Sequence, residues 1–224
     1  MIWAAPLRIP PIAAVISWLL LSSSIVLAAE PLPTVGFRGN RLVVVKPVRD
    51  ESIEQVVVKD LDGDGIPEYI VALESNASAR HNPHAAREVG DVLTTLVVGH
   101  RQGAAFKVMR AVVLGDPEAG GSALQDLAVL DLGRNGAHQI LVQTILGAHT
   151  YHLQVFRYAG GHVELLWETS SPGGIAWGFD ARDEFRVSVS QSPYVPGVAA
   201  SVPAPDTYVY RNGQVVHERV APSR

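Results

Sequence analysis

One stretch of this chain occurs twice without a gap. Val57-Val58-Lys59-Asp60-Leu61-Asp62-Gly63-Asp64-Gly65-Ile66-Pro67-Glu68-Tyr69-Ile70-Val71 aligns on Ala128-Val129-Leu130-Asp131-Leu132-Gly133-Arg134-Asn135-Gly136-Ala137-His138-Gln139-Ile140-Leu141-Val142, with Asp131 placed 71 residues after Asp60. Each copy reads as an apolar run, an acidic turn and a second apolar run. A repeated strand–turn–strand unit cannot bury its own apolar faces, so it predicts an array of like β-units. A third, more worn copy starts at Gly178-Phe179-Asp180, with Asp183 and the run 185–189 behind it.

The rest of the chain has the same texture. Short runs rich in Val, Leu, Ile and aromatics cover 41–46, 55–59, 68–73, 93–98, 106–114, 124–130, 139–145, 152–158, 163–167, 185–190 and 207–210, separated by Gly, Asp, Asn and Pro. Such runs, bounded by turn residues at close intervals, predict an all-β fold. Tight turns are expected at Arg101-Gln102-Gly103, Ala159-Gly160-Gly161 and Arg211-Asn212-Gly213. In the last of these the Asn-Gly pair suits a hairpin that needs positive φ. The one stretch with a helical look, 78–89, is interrupted by Pro83 and reads as a loop.

In the first copy Asp60, Asp62 and Asp64 take positions 1, 3 and 5 of a loop, with Gly65 at 6 and Glu68 at 9. A hard divalent cation such as calcium takes about six to eight oxygens, and carboxylates two residues apart on a curled loop converge on it. Gly63 and Gly65 permit the curl. Ile66 would add its carbonyl, and Glu68 a further carboxylate directly or through water. Without a counter-ion the three aspartates would repel one another, which favours an ion over a bare solvated turn. The loop is not an EF-hand. Position 12 is Val71, where a bidentate glutamate belongs, and Tyr69-Ile70-Val71-Ala72-Leu73 prefers a strand to the helix that an EF-hand or a dockerin needs.

Residues 58–73 resemble the calcium loop of the FG-GAP/VCBS repeats, found in integrin α-subunit propellers and in many exported bacterial proteins. The resemblance implies that each repeat is a β-propeller blade with the ion loop between its strands. It also implies calcium ligands at Asp60, Asp62, Asp64, Ile66 (through its carbonyl) and Glu68. The Phe-Gly and Gly-Ala-Pro signatures of the integrin form are absent, so the bacterial form is nearer, and Glu68 stands where the family usually has Asp. In the second copy Gly133 replaces the position-3 acid, Arg134 adds a positive charge and Gln139 replaces the position-9 acid. That turn is expected to hold its shape through Asp131, Asn135 and Gly136 without an ion. About three propeller-like blades follow, near 41–115, 116–170 and 171–224, with 41–46 completing the last sheet. Closed propellers usually have about four blades or more. An open or incomplete propeller, a β-sandwich or closure by dimerisation all fit this length.

Ahead of the repeats, Arg8 is the only charge before an apolar run over 9–29 that ends in Val26-Leu27-Ala28-Ala29. This predicts a signal peptide at 1–29, a single domain over 30–224, and a periplasmic or secreted protein with no membrane attachment after cleavage. An uncleaved anchor is the alternative, since the run is long enough to span a bilayer. Pro10, Pro11 and Ser22-Ser23-Ser24 argue against it. The chain has no cysteine, which excludes disulfides, thiolate zinc sites, a cysteine nucleophile and a lipoprotein anchor. A formal charge of −4 without a Lys/Arg stripe gives no reason to expect nucleic acid as a partner.

Other candidates read more simply as scaffold. His81 and His84, with Glu88 beyond, could hold a transition metal but suit a solvated loop better. His100, His138, His149, His152 and His162 are scattered, and Ser122 after Gly120-Gly121 lacks the strand-to-helix setting of a nucleophile elbow. Asp180, Asp183 and Glu184 could pair as catalytic carboxylates, but they suit a β-turn. Trp167, Trp177 and Phe179 could stack on a ligand, but packing between sheets accounts for them. The proline-rich stretch 192–206 reads as a surface loop able to touch a partner. The expectation is an exported calcium-binding β-repeat protein, not an enzyme, acting as a structural module or binding a protein or glycan. The alternative is a secreted hydrolase with its site at a blade mouth.

Overall fold

The computed structural model describes residues 34–46, 51–76, 92–103, 105–114, 121–146, 150–191 and 204–218. Every regular element among them is a β-strand. The leader 1–29, the 78–89 loop with His81, His84 and Glu88, His149 and most of the 192–206 loop lie outside the described residues.

The first two strands, β1 (Thr34–Arg38) and β2 (Arg41–Lys46), form a hairpin. β3 (Ser52–Lys59), β4 (Glu68–Asn76), β5 (Val92–Gln102) and β6 (Ala105–Leu114) make the first four-stranded sheet. β7 (Ser122–Leu130), β8 (Gln139–Leu146), β9 (Thr150–Ala159) and β10 (His162–Ser171) make the second. β11 (Ile175–Phe179), β12 (Phe185–Val189), β13 (Asp206–Arg211) and β14 (Gln214–Glu218) make the third. Each is an antiparallel meander in chain order, and none closes into a barrel. The fold is all-β, with sheets arranged as open, propeller-like blades.

The repeat extends to a backbone irregularity. β3 carries a register shift between Ile53 and Gln55, and β7 carries one between Leu124 and Asp126, at the same offset as the two acidic turns. Bulges re-aim a strand, so keeping one in both copies gives both sheets the same bend at the same place.

Three cores lie between successive layers. Val35, Leu42 and Val44 of the hairpin meet Val71, Leu73 and Val97. Ile70, Ala72, Leu96 and Val98 on the other face of the first sheet meet Leu127, Ile140, Val142 and Phe156. Leu141, Leu153 and Val155 on the far face of the second sheet meet Phe185, Val187 and Val189. Strands covered on both faces read as unbroken apolar runs, which explains Ile70-Val71-Ala72-Leu73 and Ile140-Leu141-Val142. β12 instead alternates Phe185, Arg186, Val187, Ser188, Val189, with the odd-numbered residues buried and the even-numbered ones half-buried. That alternation marks a sheet with its core on one side, and so the end of the described stack.

The expectation that 41–46 completes the last sheet is not met. β2 pairs with β1 through the Gly39-Asn40 turn, where Gly39 has φ +66°. The hairpin then lies on the first sheet, with Phe37 edge-on to Tyr69 at 5.2 Å and 6.1 Å from Phe106. Arg101 fixes the turn. Its guanidinium sits 4.6 Å from the Phe37 ring centroid and donates to Asn40 and to the Gly39 carbonyl.

Candidate metal centre

The 60–68 loop joins β3 to β4, and Lys59 opposite Glu68 is the last pair before the strands part. Within it, side-chain oxygens take up the backbone donors that no ladder satisfies. Asp60 accepts the Gly63 N–H at 2.7 Å on one oxygen and the Gly65 N–H at 2.9 Å on the other. Asp62 accepts from Asp64, and Asp64 accepts the Ile66 N–H at 2.7 Å. Gly63 and Gly65 adopt φ of +79° and +85°, the left-handed region that lets the chain curl around the carboxylates.

Two residues anchor the loop to the core. Leu61 inserts between the first and second sheets, and Glu68 is only 2% exposed. Glu68 accepts the Leu61 N–H at 2.8 Å. Burial pushes the Glu68 carboxyl above its ordinary range. The Leu61 N–H opposes that shift, and the charges of Asp62 and Asp64 add to it. A buried carboxylate facing two other acids is a group that a bound cation would relieve.

Asp60, Asp62 and Glu68 each offer one oxygen within 4.8 Å of the others, and no other such group of acids and histidines is present among the described residues. Two oxygens that share a calcium ion can be no farther apart than about 4.6–5.2 Å, twice the usual Ca–O distance. The donor set is all oxygen, which suits hard divalent cations as a class. Asp64 lies outside this group and spends one oxygen on Ile66, whose side chain points into solvent. The fit to such an ion is therefore carried by Asp60, Asp62 and Glu68.

The second loop repeats the backbone of the first without its acids. Asp131 accepts from Asn135 at 3.0 Å and Gly136 at 2.7 Å, and Gln139 accepts the Leu132 N–H at 2.9 Å, as Glu68 does from Leu61. Burial pushes Asp131 up, but the Gly136 and Asn135 N–H groups outweigh it and hold the carboxyl below its ordinary value. The third turn is three residues shorter. Asp180 accepts from Arg182 and Glu184, and the strand pairing sets Phe185 where the other copies have Glu68 and Gln139.

Arg186 supplies the cation there. It donates to Asp180, Glu184 and Glu218, while Arg211 also reaches Glu184. The Glu184 N–H comes first among the groups that hold Asp180 below its ordinary value, and Arg211 comes first for Glu184. Both shifts run opposite to what a general acid needs.

A tyrosine from the next sheet faces each of the first two loops. Burial and the Glu68, Asp62 and Asp64 carboxylates push Tyr158 up to about 12. Tyr210 is raised by burial and by Asp131, with Arg157 opposing. Sequence spacing carries no sign of these pairings, because they arise from one sheet packing on another.

The remaining candidates fall apart in space or serve the scaffold. Ser122 accepts from the Thr94 N–H and donates to the Leu114 carbonyl, tying the first two sheets together. His152 pairs with Glu168 at 3.4 Å, and burial lowers its pKa despite that partner. Trp167 packs on Tyr208, and Trp177 donates to Gln143 at 2.8 Å. His100, His138 and His162 are placed on β5, before β8 and at the start of β10.

The chain matches no protein-family model, and no curated protein matches it.

Proposed function

We propose that this is an exported β-repeat protein of the FG-GAP/VCBS type, in which the 60–68 loop takes up calcium to stabilise a binding or structural module. The observation that carries this reading is the convergence of Asp60, Asp62 and the buried Glu68 within 4.8 Å on a loop that joins two strands. An ion there offsets the burial and the added repulsion that raise Glu68, next to the Leu61 N–H that it accepts, so its effect is on the packing of the first layers. Export rests on the apolar leader over 9–29. The hydrolase alternative loses support, because Asp180 is held ionised by the Glu184 N–H and Arg186, and Glu184 by Arg211 and Arg186.

Thermal unfolding of the purified protein with calcium and with excess chelator tests it. Extracellular sites of this kind have dissociation constants of about 10⁻⁴–10⁻³ M. At about 10 mM calcium, a site at the tight end gains about 2.7 kcal/mol, or about 5–10 °C in midpoint for a chain of this size. Asp62→Ala/Asp64→Ala should lose that rise. Superimposable curves for the native protein in both buffers would refute calcium binding coupled to folding.

A further inference from the structure

We propose that the cleft between the turns of the second and third sheets binds a neutral, polyhydroxylated ligand, namely the end of a saccharide chain. This goes beyond the calcium reading and uses none of its ligands. The cleft encloses about 440 Å³, within the roughly 300–1,000 Å³ of small-ligand sites. Its walls come from the degenerate second loop (Arg134, Asn135), the third acidic turn (Asp183, Glu184) and the last hairpin (Arg211, Asn212).

The backbone of these walls is unusual. Arg134, Asp183 and Asn212 have φ of +54°, +63° and +52°, and they are the only non-glycine residues with positive φ among the described residues. All three line this one cleft; Asn212 takes the left-handed turn that its Asn-Gly hairpin needs, which leaves Arg134 and Asp183 as the unusual pair. Left-handed residues other than glycine concentrate where a side chain must be aimed against the backbone's preference. At Arg134 the first loop has Gly63, so the second copy keeps the left-handed turn and adds a guanidinium to it. That guanidinium lies 4.2 Å from the Phe179 ring centroid and pairs with Asp183.

The charges select the ligand class. Arg134 is neutralised by Asp183, and Arg211 donates through Nε and Nη2 to Glu184 at 3.3 and 3.2 Å. An anion approaching either arginine meets a carboxylate already in place, and a cation approaching either acid meets a guanidinium. What the walls offer is hydrogen bonding of both senses at net zero charge. Guanidinium forks and asparagine amides donate, while carboxylates and amide oxygens accept. Hydroxyls both donate and accept, and adjacent hydroxyls on a sugar ring can engage a fork and its carboxylate together. Stacking is not the mode, because Arg134 covers the Phe179 face and Tyr210 is 9% exposed, its ring against Gly133.

The test is nitrogen–proton NMR of the isotope-labelled protein in excess chelator, so that the state of the calcium loop does not enter. The probes are methyl glucoside, methyl galactoside, methyl mannoside, N-acetylglucosamine and cellobiose, with citrate and spermine as charged controls. The expected result is saturable shifts of the Arg134 and Arg211 side-chain N–H signals and of the Asn135 and Asn212 amides with at least one sugar. Arg134→Lys keeps the charge and removes the fork, and should weaken that sugar by about tenfold or more. Arg211→Lys gives the same reading should Arg134→Lys fail to fold. No shift with any sugar at tens of millimolar overturns the proposal. So do shifts matched by citrate or spermine, and affinity unchanged in a folded arginine variant.

Discussion

Glu68 accepts the amide of Leu61 at 2.8 Å, seven residues back along the chain and beneath the acidic turn. Gln139 holds Leu132 in the same way at 2.9 Å. The turn therefore needs an oxygen at this position, whereas only an ion needs a charge there. Glu68→Gln should keep the turn, leave chelator-treated stability equal or higher and abolish the calcium response. Glu68→Ala should cost about 1–3 kcal/mol in chelator, because the Leu61 N–H is left buried and unpaired. Denaturant titrations of the two variants with and without calcium separate the roles. A loss in Glu68→Ala of the same size with and without calcium, with Glu68→Gln unchanged in either buffer, would show that the carboxylate has no function apart from its hydrogen bond.

Tyr158 reports on the loop from the neighbouring sheet. Its phenol is pushed up to about 12 by burial and by Glu68, Asp62 and Asp64. A cation bound to those acids cancels their repulsion of a phenolate, so calcium should lower the Tyr158 pKa towards 10, the ordinary tyrosine value. Ultraviolet difference titration in calcium and in chelator, with Tyr158→Phe to assign the signal, measures the shift. A titration indifferent to calcium would place the ion elsewhere.

The third turn should show itself in acid. Asp180 and Glu184 are depressed below 3.8 and 4.5, so the Glu184 N–H and Arg186 at Asp180, and Arg211 and Arg186 at Glu184, favour the folded state above those values. The contribution is lost as pH falls through their lower folded-state values. Glu68 has the opposite sign in ion-free protein. Raised above 4.5, it disfavours the folded state at neutral pH and relaxes as it takes up a proton. Arg211→Met, which removes the largest cause of the Glu184 shift, should flatten the acid limb below about pH 4.5, and Glu68→Gln the slope above it. Denaturant midpoints between neutral pH and about pH 3 read both.

Phe185 fills the core between the second and third sheets and is fully buried. Phe185→Ala should cost about 3–5 kcal/mol. Phe185→Gln, which restores the residue type of the second loop, should be no better tolerated. The shorter turn has Asp180, and not an amide two residues into a longer loop, as its anchor. Chemical unfolding of the two variants checks this, and near-native stability of the glutamine variant would contradict it.

Much of the architecture can be read from residue order. The runs around the two acidic turns, and the glycine and asparagine turns at 159–162 and 211–214, fold as strands and tight hairpins because their signals are local. β1 and β11 contain Gly36 and Gly178, which break the apolar pattern. Their strand conformation comes from partners, with Gly36 lying under the Val45 side chain, where a Cβ would come within 2.5 Å of a methyl. The position of β2 is decided by Phe37 meeting Tyr69 and Phe106, a contact between distant strands. In the first acidic loop, Asp60, Asp62 and Glu68 bring oxygens together, while Asp64 turns to the Ile66 amide. Nothing in the sequence singles out Arg186, because its partners, from Asp180 to Glu218, meet only once β12, β13 and β14 lie side by side.

The three turns differ in the charge that their own residues supply. The first has only acids, the second a neutral amide at Gln139 with Arg134 on its rim, and the third a tethered guanidinium. With calcium in the first loop, the molecule is polarised along its stack. The layers near the hairpin depend on the surrounding medium, and the last sheet carries its own counter-ion in the chain. Withdrawal of the ion would then loosen the protein from its N-terminal side, while the far end keeps its shape in media of any hardness.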